Sequence, residues 1–401
     1  MQTITVLGAT GSIGESTLNL IEQHPESFRV FGLSANQDVE GLLACAERCH
    51  PRVLAMASPR AAAVLRDRLR EHSDPWLRGL EVLEGEHGLC ALAGGEGPQK
   101  VVAGIVGIAG LRSVWAAVSR GQTVLLANKE ALVCAGGLMA AQSQQHGAHM
   151  LPVDSEHNAI FQCLGAEYTC FERPAHVRRL LLTASGGPFR TWVAEDIRRA
   201  TPEQAVKHPN WSMGQKISVD SASLMNKGLE LIEAHWLFSL PSTQIDVVVH
   251  PQSVIHSMVE FEDGSTLAQL GSPDMRTPIG HAMAWPARMS TQVKSLDWTQ
   301  LTQLDFECPD LDRFPALRLA RACLEAGLAA TNVLNAANEA CVAAFLAREL
   351  SFGAMVETIE ETVSHLAPRL SNPTQLEDVF MIDQSARALA SERIRKRATK
   401  G

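Results

Sequence analysis

The chain has 401 residues, enough for two or three domains at roughly 150 residues each. Hydrophobic residues at 46% and charged residues at 20% exclude a largely disordered chain, and 35 basic against 44 acidic residues exclude the positive footprint of a nucleic-acid binder. The Gly-rich, uncharged run Val101–Leu111 is well short of the ~18–20 residues of a membrane span, Met1-Gln2-Thr3 leads straight into an apolar strand, and nine scattered cysteines hold no C-x-x-C pair, so a reduced cytoplasmic protein without secretory signal is expected.

In residues 1–150, short apolar runs alternate with amphipathic segments. Ile4–Leu7, Arg29–Leu33, Val53–Met56, Val101–Val106, Thr123–Ala127 and Met150–Val153 are predicted strands. Ile13–Gln23, Val39–Arg48, Pro59–Glu71 and Glu130–His146 are predicted helices. Strands that are apolar throughout, rather than alternating, are buried on both faces, which implies a doubly wound α/β domain with a parallel sheet. In 151–285 the pattern becomes α+β. Arg179–Thr183 and Asp246–His250 are apolar runs, while Ser253–Glu262 and Ser265–Leu270 alternate about Asp263-Gly264 as a hairpin. Residues 286–312 carry Pro286 and Pro309 with little periodicity and are expected to be a linker. From 313 to 401 the pattern is helical: Ala316–Ala326, Thr331–Glu349, and a third helix capped by Ser351 and ending before Pro368. The basic run Arg393–Arg397 is better explained as a solvated helix end than as an interaction tail.

Gly8-Ala9-Thr10-Gly11-Ser12-Ile13-Gly14 joins the first strand to the first helix, the context in which a glycine turn lets a pyrophosphate approach backbone N–H groups. The second strand ends in Ser34-Ala35-Asn36-Gln37-Asp38, with neither an immediate carboxylate for a ribose hydroxyl nor a cation for a 2′-phosphate, so NAD and NADP stay undecided on these residues. Asn128-Lys129-Glu130 lies at another strand end, where ligands of such sheets bind. Asp154-Ser155-Glu156 places two carboxylates at i and i+2, on one side of an extended chain. Oxygen ligands of this kind suit Mg²⁺ or Mn²⁺, although an exposed loop pair fits the same spacing. Ser185-Gly186-Gly187 is a backbone-donor loop suited to phosphate and is not a nucleophile elbow. Ser221 to Glu230 combines hydroxyls, Asn226, Lys227 and a carboxylate within ten residues. Between them, His208-Pro209-Asn210-Trp211-Ser212-Met213-Gly214 suits a mobile lid, or equally a packed loop with Trp211 in the core.

Taken together and in order, LGATGSIG, LLANKEAL, LPVDSEHNAIFQ, SGGPF, HPNWSMGQKISVDSA, MNKGLE, HPQSVIHSMV and PDMRTPI resemble the 1-deoxy-D-xylulose 5-phosphate reductoisomerase family, over the whole chain. The resemblance implies an NADPH domain, a catalytic domain with metal site and lid, a linker and a helical C-terminal domain, assembled as a homodimer. It implies rearrangement and reduction of 1-deoxy-D-xylulose 5-phosphate to 2-C-methyl-D-erythritol 4-phosphate for isoprenoid precursors. Asp154, Glu156 and Glu230 would be the ligands of Mg²⁺ or Mn²⁺. Ser185, His208, Ser221, Asn226 and Lys227 would hold the substrate phosphate, and Lys129 and Ser155 would contact the substrate oxygens. Thr10, Gly11, Ser12, Ile13, Asn128, Glu130 and Gly214 would touch the nucleotide, and Trp211 and Met213 would belong to the lid. One stretch departs from the pattern: Asn36-Gln37-Asp38 stands where many relatives carry Gly, a small or basic residue, and Asn beside the nucleotide. The alternatives are another NAD(P)-dependent dehydrogenase, which would need no three-carboxylate site, and a nucleotide-sensing protein without chemistry, which would have a damaged ligand set.

Overall fold

The computed structural model describes residues 1–209, 211 and 213–398; Asn210 and Ser212 of the expected lid lie outside the described residues. Seven strands form a parallel sheet: β1 (Gln2–Leu7), β2 (Phe28–Ala35), β3 (Val53–Met56), β4 (Glu81–Glu84), β5 (Lys100–Ala103), β6 (Thr123–Leu126) and β7 (Met150–Pro152). Their spatial order is β4-β3-β2-β1-β5-β6-β7. Chain order therefore reverses between β1 and β5, opening the crevice where doubly wound sheets bind ligands. β3 and β5 are buried along their full length, as continuous apolar runs require. β5 stops at Ala103 rather than Val106, because the chain turns away through Gly104 and Gly107. β4, whose ends are charged, and the helices Gly85–Gly94 and Leu111–Val118, which are short or Gly-rich, are not among the predicted elements.

A second sheet has the order β11-β10-β8-β9, from β8 (Val177–Ala184), β9 (Ile245–Val249), β10 (Ile255–Phe261) and β11 (Thr266–Leu270). β10 and β11 are antiparallel across Asp263-Gly264, as expected, whereas β8 and β9 run parallel. The linker closes one margin of this sheet: Val249 and Glu307 exchange two backbone hydrogen bonds of 2.9 Å. β11 forms the other margin, with Thr266, Leu267 and Ala268 exposed.

Helices Ala316–Ala326, Leu328–Leu346, Phe352–Leu366 and Leu376–Ala398 complete the described chain. The Ala-rich helix starts at Leu328, directly after Gly327, rather than at Thr331. Two apolar cores result. One lies under both sheets; the other joins the C-terminal helices to the middle of the chain. The helix Met225–Phe238 contributes to both, Leu231, Ala234 and Leu237 to the first and Met225, Leu229 and Ile232 to the second. Its approach to Ala316–Ala326 needs a glycine, since a Cβ at Gly228 would lie 2.6 Å from the Ala320 Cβ.

Lys100, the first residue of β5, is a buried cation. It is 7% exposed and its ammonium donates to the Met283 carbonyl; burial pushes its pKa down from 10.5 to about 8.

Two expectations follow. Gly228→Ala should cost ~1–3 kcal/mol through overpacking, read as a lower Tm; an unchanged Tm would contradict the close helix contact. For Lys100 the folded state prefers the neutral amine, so the unfolded chain binds more protons and stability rises between pH 8 and 10.5. Lys100→Met should therefore stabilise the protein by ~1–3 kcal/mol at pH 7, with the advantage shrinking above pH 8 in denaturant melts. A pH-independent difference would rule out that cause.

Candidate active site

The turn after β1 brings the first helix, Ser12–Gln23, to the crevice with Gly11 as an N-cap that offers no side chain, so its first N–H groups face outward unsatisfied. A Cβ at Gly14 would sit 2.4 Å from the Ala9 carbonyl oxygen, so glycine there sets the closeness of helix to strand. Gly11, Ser12 and Ile13 line one end of a cavity of about 520 Å³. Its wall also carries acidic and basic side chains from three separate parts of the chain.

Lys129 opens the helix Lys129–His146 at the end of β6. Asp154 and Glu156 converge as expected, but through a different geometry. The strand ends at Pro152, Asp154 is the N-cap of the helix Ser155–Leu164, and Glu156 lies in its first turn. Asn226, Lys227 and Glu230 come from the first turns of Met225–Phe238. Lys129 Nζ lies 2.5 Å from Asp154 and 2.9 Å from Glu230 and donates to Asn226 Oδ1 at 2.9 Å. Lys227 Nζ lies 2.8 Å from Glu156 and also binds Glu230. Ser155 donates to Glu156 at 2.7 Å.

Burial alone would raise Glu230, but the Lys129 and Lys227 ammoniums outweigh it and hold the carboxylate low. Burial lifts Asp154, and its acidic neighbours Glu230 and Glu156 add to this against Lys129. For Lys129 burial again opposes charge, yet Asp154 and Glu230 keep the ammonium well above its ordinary value.

Two groups here could hold a metal: Asp154, Glu156 and Glu230, or Asp154, His157 and Glu233, each with ligand atoms within 4.8 Å of one another. The second is sealed, since the His157 and Glu233 side chains are fully buried. Burial lowers His157 and raises Glu233, which favours the uncharged form of each; this suits a support behind Asp154 and Glu230. The first group lines the cavity, offers only hard oxygen donors, and its three carboxylates exceed the two ammoniums by one negative charge. It fits a divalent ion with coordination positions left for a ligand.

Beside this cluster lies a polar pocket formed by Ser185, His208 and Ser221. The Trp211 backbone N–H donates to His208 Nδ1 at 3.0 Å, and burial pushes His208 down to about 4, so the neutral ring carries its proton on Nε2. Nε2 then donates to Ser185 Oγ at 2.8 Å, and Gly187 N–H donates to the same oxygen at 3.2 Å. With its oxygen accepting twice, the Ser185 hydroxyl has its own proton left for an acceptor in the cavity. Trp211, Met213 and Gly214 also line the cavity, Trp211 with its ring 5.9 Å from that of His256.

Not every expected residue faces this space. Thr10, Asn36, Gln37, Asn128 and Glu130 lie outside the cavity wall. Asn128 is spent on the fold: its side chain accepts from Ala131 N–H and donates to the Gly107 and Ile105 carbonyls. Glu130 is buried against Lys216 at 2.6 Å, and Lys216 reaches Asp220 at 2.9 Å. Residues missed from the sequence are Val106, Ile255, His256 and Asp274 on the wall, with Lys216, His157 and Glu233 behind it. Gly104-x-x-Gly107 after a strand was a usable signal for Val106; the others depend on partners far away in the chain.

Family descriptions match nearly the full length: 1-deoxy-D-xylulose 5-phosphate reductoisomerase over residues 4–136, the C-terminal domain of the same enzyme over 150–238, and DXP reductoisomerase C-terminal domain over 270–389. The 1-deoxy-D-xylulose 5-phosphate reductoisomerase of Acidithiobacillus ferrooxidans is 53% identical over 387 residues, 96% of each chain. That of Pseudomonas putida is 53% identical over 395 residues, 98% of this chain and 97% of its own. Among solved structures, the Zymomonas mobilis enzyme in complex with NADPH is similar with a TM-score of 0.87 at 48% identity, covering 98% of both chains. A DOX-P reductoisomerase in complex with NADPH, fosmidomycin and magnesium gives 0.92 at 43% identity, again over 98% of both. With relatives of this identity spanning almost all of both sequences, the chain belongs to the 1-deoxy-D-xylulose 5-phosphate reductoisomerase family.

Proposed function

We propose that this chain rearranges 1-deoxy-D-xylulose 5-phosphate and reduces the product to 2-C-methyl-D-erythritol 4-phosphate with NADPH and a divalent metal, Mg²⁺ or Mn²⁺, in the supply of isoprenoid precursors. The observation that carries this reading is the single cavity in which Asp154, Glu156 and Glu230 meet within reach of the glycine turn at Gly11–Ile13. Asp154, Glu156 and Glu230 would hold the ion, which when bound supplies Lewis-acid polarisation of adjacent substrate oxygens. Lys129, kept protonated by its acidic neighbours, serves as a hydrogen-bond donor to an oxygen gaining charge rather than as a base. Ser185 has a hydroxyl proton to give a phosphate oxygen, with Ser221, His208 and the Lys227 charge beside it; such remote contacts orient the reacting carbons. Trp211 and Met213 cover the cavity and exclude water from the aldehyde stage.

Homodimerisation through β11 belongs to the same proposal. The linker pairs with the β9 margin, whereas β11 leaves Leu267 50% exposed on an edge strand, a surface that pairing with a second copy would cover. Among the described residues no helix is long and apolar enough to cross a membrane, and all nine cysteines are free thiols, which supports a reducing cytoplasmic location.

The decisive assay is NADPH oxidation with 1-deoxy-D-xylulose 5-phosphate, with and without chelator. Turnover should vanish on chelation and return with Mg²⁺ or Mn²⁺. Asp154→Asn should lower turnover on the order of 100-fold or more while leaving NADPH affinity nearly unchanged; undiminished metal-dependent turnover would remove Asp154 from the ligand set. Leu267→Glu should convert a dimer to a monomer in light scattering, and a persistent dimer would move the interface off β11.

A further inference from the structure

A 2′-phosphate on the adenosine ribose calls for a cation beside the end of β2, and Asn36 and Gln37 supply none. The neighbouring strand does. β2 and β3 end level, with Ala35 opposite Met56, and their continuations stay joined: Ala57 N–H donates to the Ala35 carbonyl at 2.9 Å and Ser58 N–H to the Asn36 carbonyl at 3.1 Å. Two residues on, in the first turn of the helix Pro59–Arg70, stands Arg60. It is exposed, and among the described residues its guanidinium makes no hydrogen bond or ion pair. That sets it apart from the other arginines of this helix, for Arg66 pairs with Glu84 at 2.7 Å, Arg68 with Glu40 at 2.7 Å and Arg70 with Asp67 at 2.7 Å. The carboxylates of the adjoining helix Val39–Cys49 are engaged as well. Asp38 accepts from Gly41 N–H at 2.9 Å as its N-cap, and Glu40 is held by Arg68. The corner thus contains acids that already have partners and one arginine that does not.

We propose that Arg60 supplies the positive charge for the 2′-phosphate of NADPH, in place of a basic residue at the end of β2, and so sets the preference for NADPH over NADH. The inference rests on the NADPH reading above and adds to it the residue that discriminates. A guanidinium suits the task because its planar donors can pair two phosphate oxygens at once.

Wild type, Arg60→Gln and Arg60→Lys would be titrated calorimetrically with NADPH, NADH and adenosine 2′,5′-bisphosphate. Loss of one charge-assisted contact at an exposed site should weaken NADPH and the bisphosphate about tenfold in Arg60→Gln. NADH affinity and Tm should stay unchanged, and Arg60→Lys should recover part of the loss. Added salt should erode NADPH affinity more steeply in wild type than in Arg60→Gln. In turnover assays KM for NADPH should rise with kcat preserved. If wild type prefers NADPH and Arg60→Gln keeps the same NADPH-to-NADH ratio, the assignment of Arg60 is overturned while the NADPH reading stands. If wild type shows no preference for NADPH, both fall together.

Discussion

The structure depends on one electrostatic arrangement: Glu230, 1% exposed at its side chain, held between the ammoniums of Lys129 and Lys227. An isolated carboxylate at such depth would take up a proton, and one stripped of either lysine would destabilise the fold by several kcal/mol. Each lysine in turn reaches a second acid, Asp154 or Glu156, so the charges are interlocked rather than paired off. A divalent ion held by Asp154, Glu156 and Glu230 would meet carboxylates whose charge the two lysines already offset in part. Helix Met225–Phe238 thus buries Glu230 with its charge compensated by the protein's own lysines.

The two halves of the site use different means to present their groups. At the glycine turn, backbone does the work: a helix start without a capping side chain and a close strand-to-helix approach at Gly14. Around Ser185, side chains are fixed by one another. His208 is oriented by the Trp211 amide, and Ser185 is oriented by His208 and Gly187. Trp211, itself on the cavity wall, therefore shares a hydrogen bond with the residue that aims Ser185.

The parallel sheet was legible because burial on both faces leaves a continuous apolar run, as in Val53–Met56, whose limits match the predicted ones. β4 was not, since a four-residue edge strand with glutamate at each end carries too little apolar signal. In the candidate site, Asp154-Ser155-Glu156 announced itself by composition, but the extended geometry expected of it is replaced by a helix start. Sequence spacing shows that two acids are near each other, not which backbone brings them together. His157 and Glu233 were out of reach for another reason: their meaning comes only from contact between helices 76 positions apart in the chain. Asp38 accepts from Gly41 N–H as the N-cap of its own helix, a role that its place after the second strand did not show.

The helix Met225–Phe238 is shared between both apolar cores. Loosening of either core around this helix would disturb the acid cluster, which ties the cluster to the packing of the C-terminal helices. Partial opening of the molecule would flood Glu230 and its lysines with water and silence the site altogether. Integrity of the acid cluster is thereby tied to the packing of helices that lie far from it along the chain.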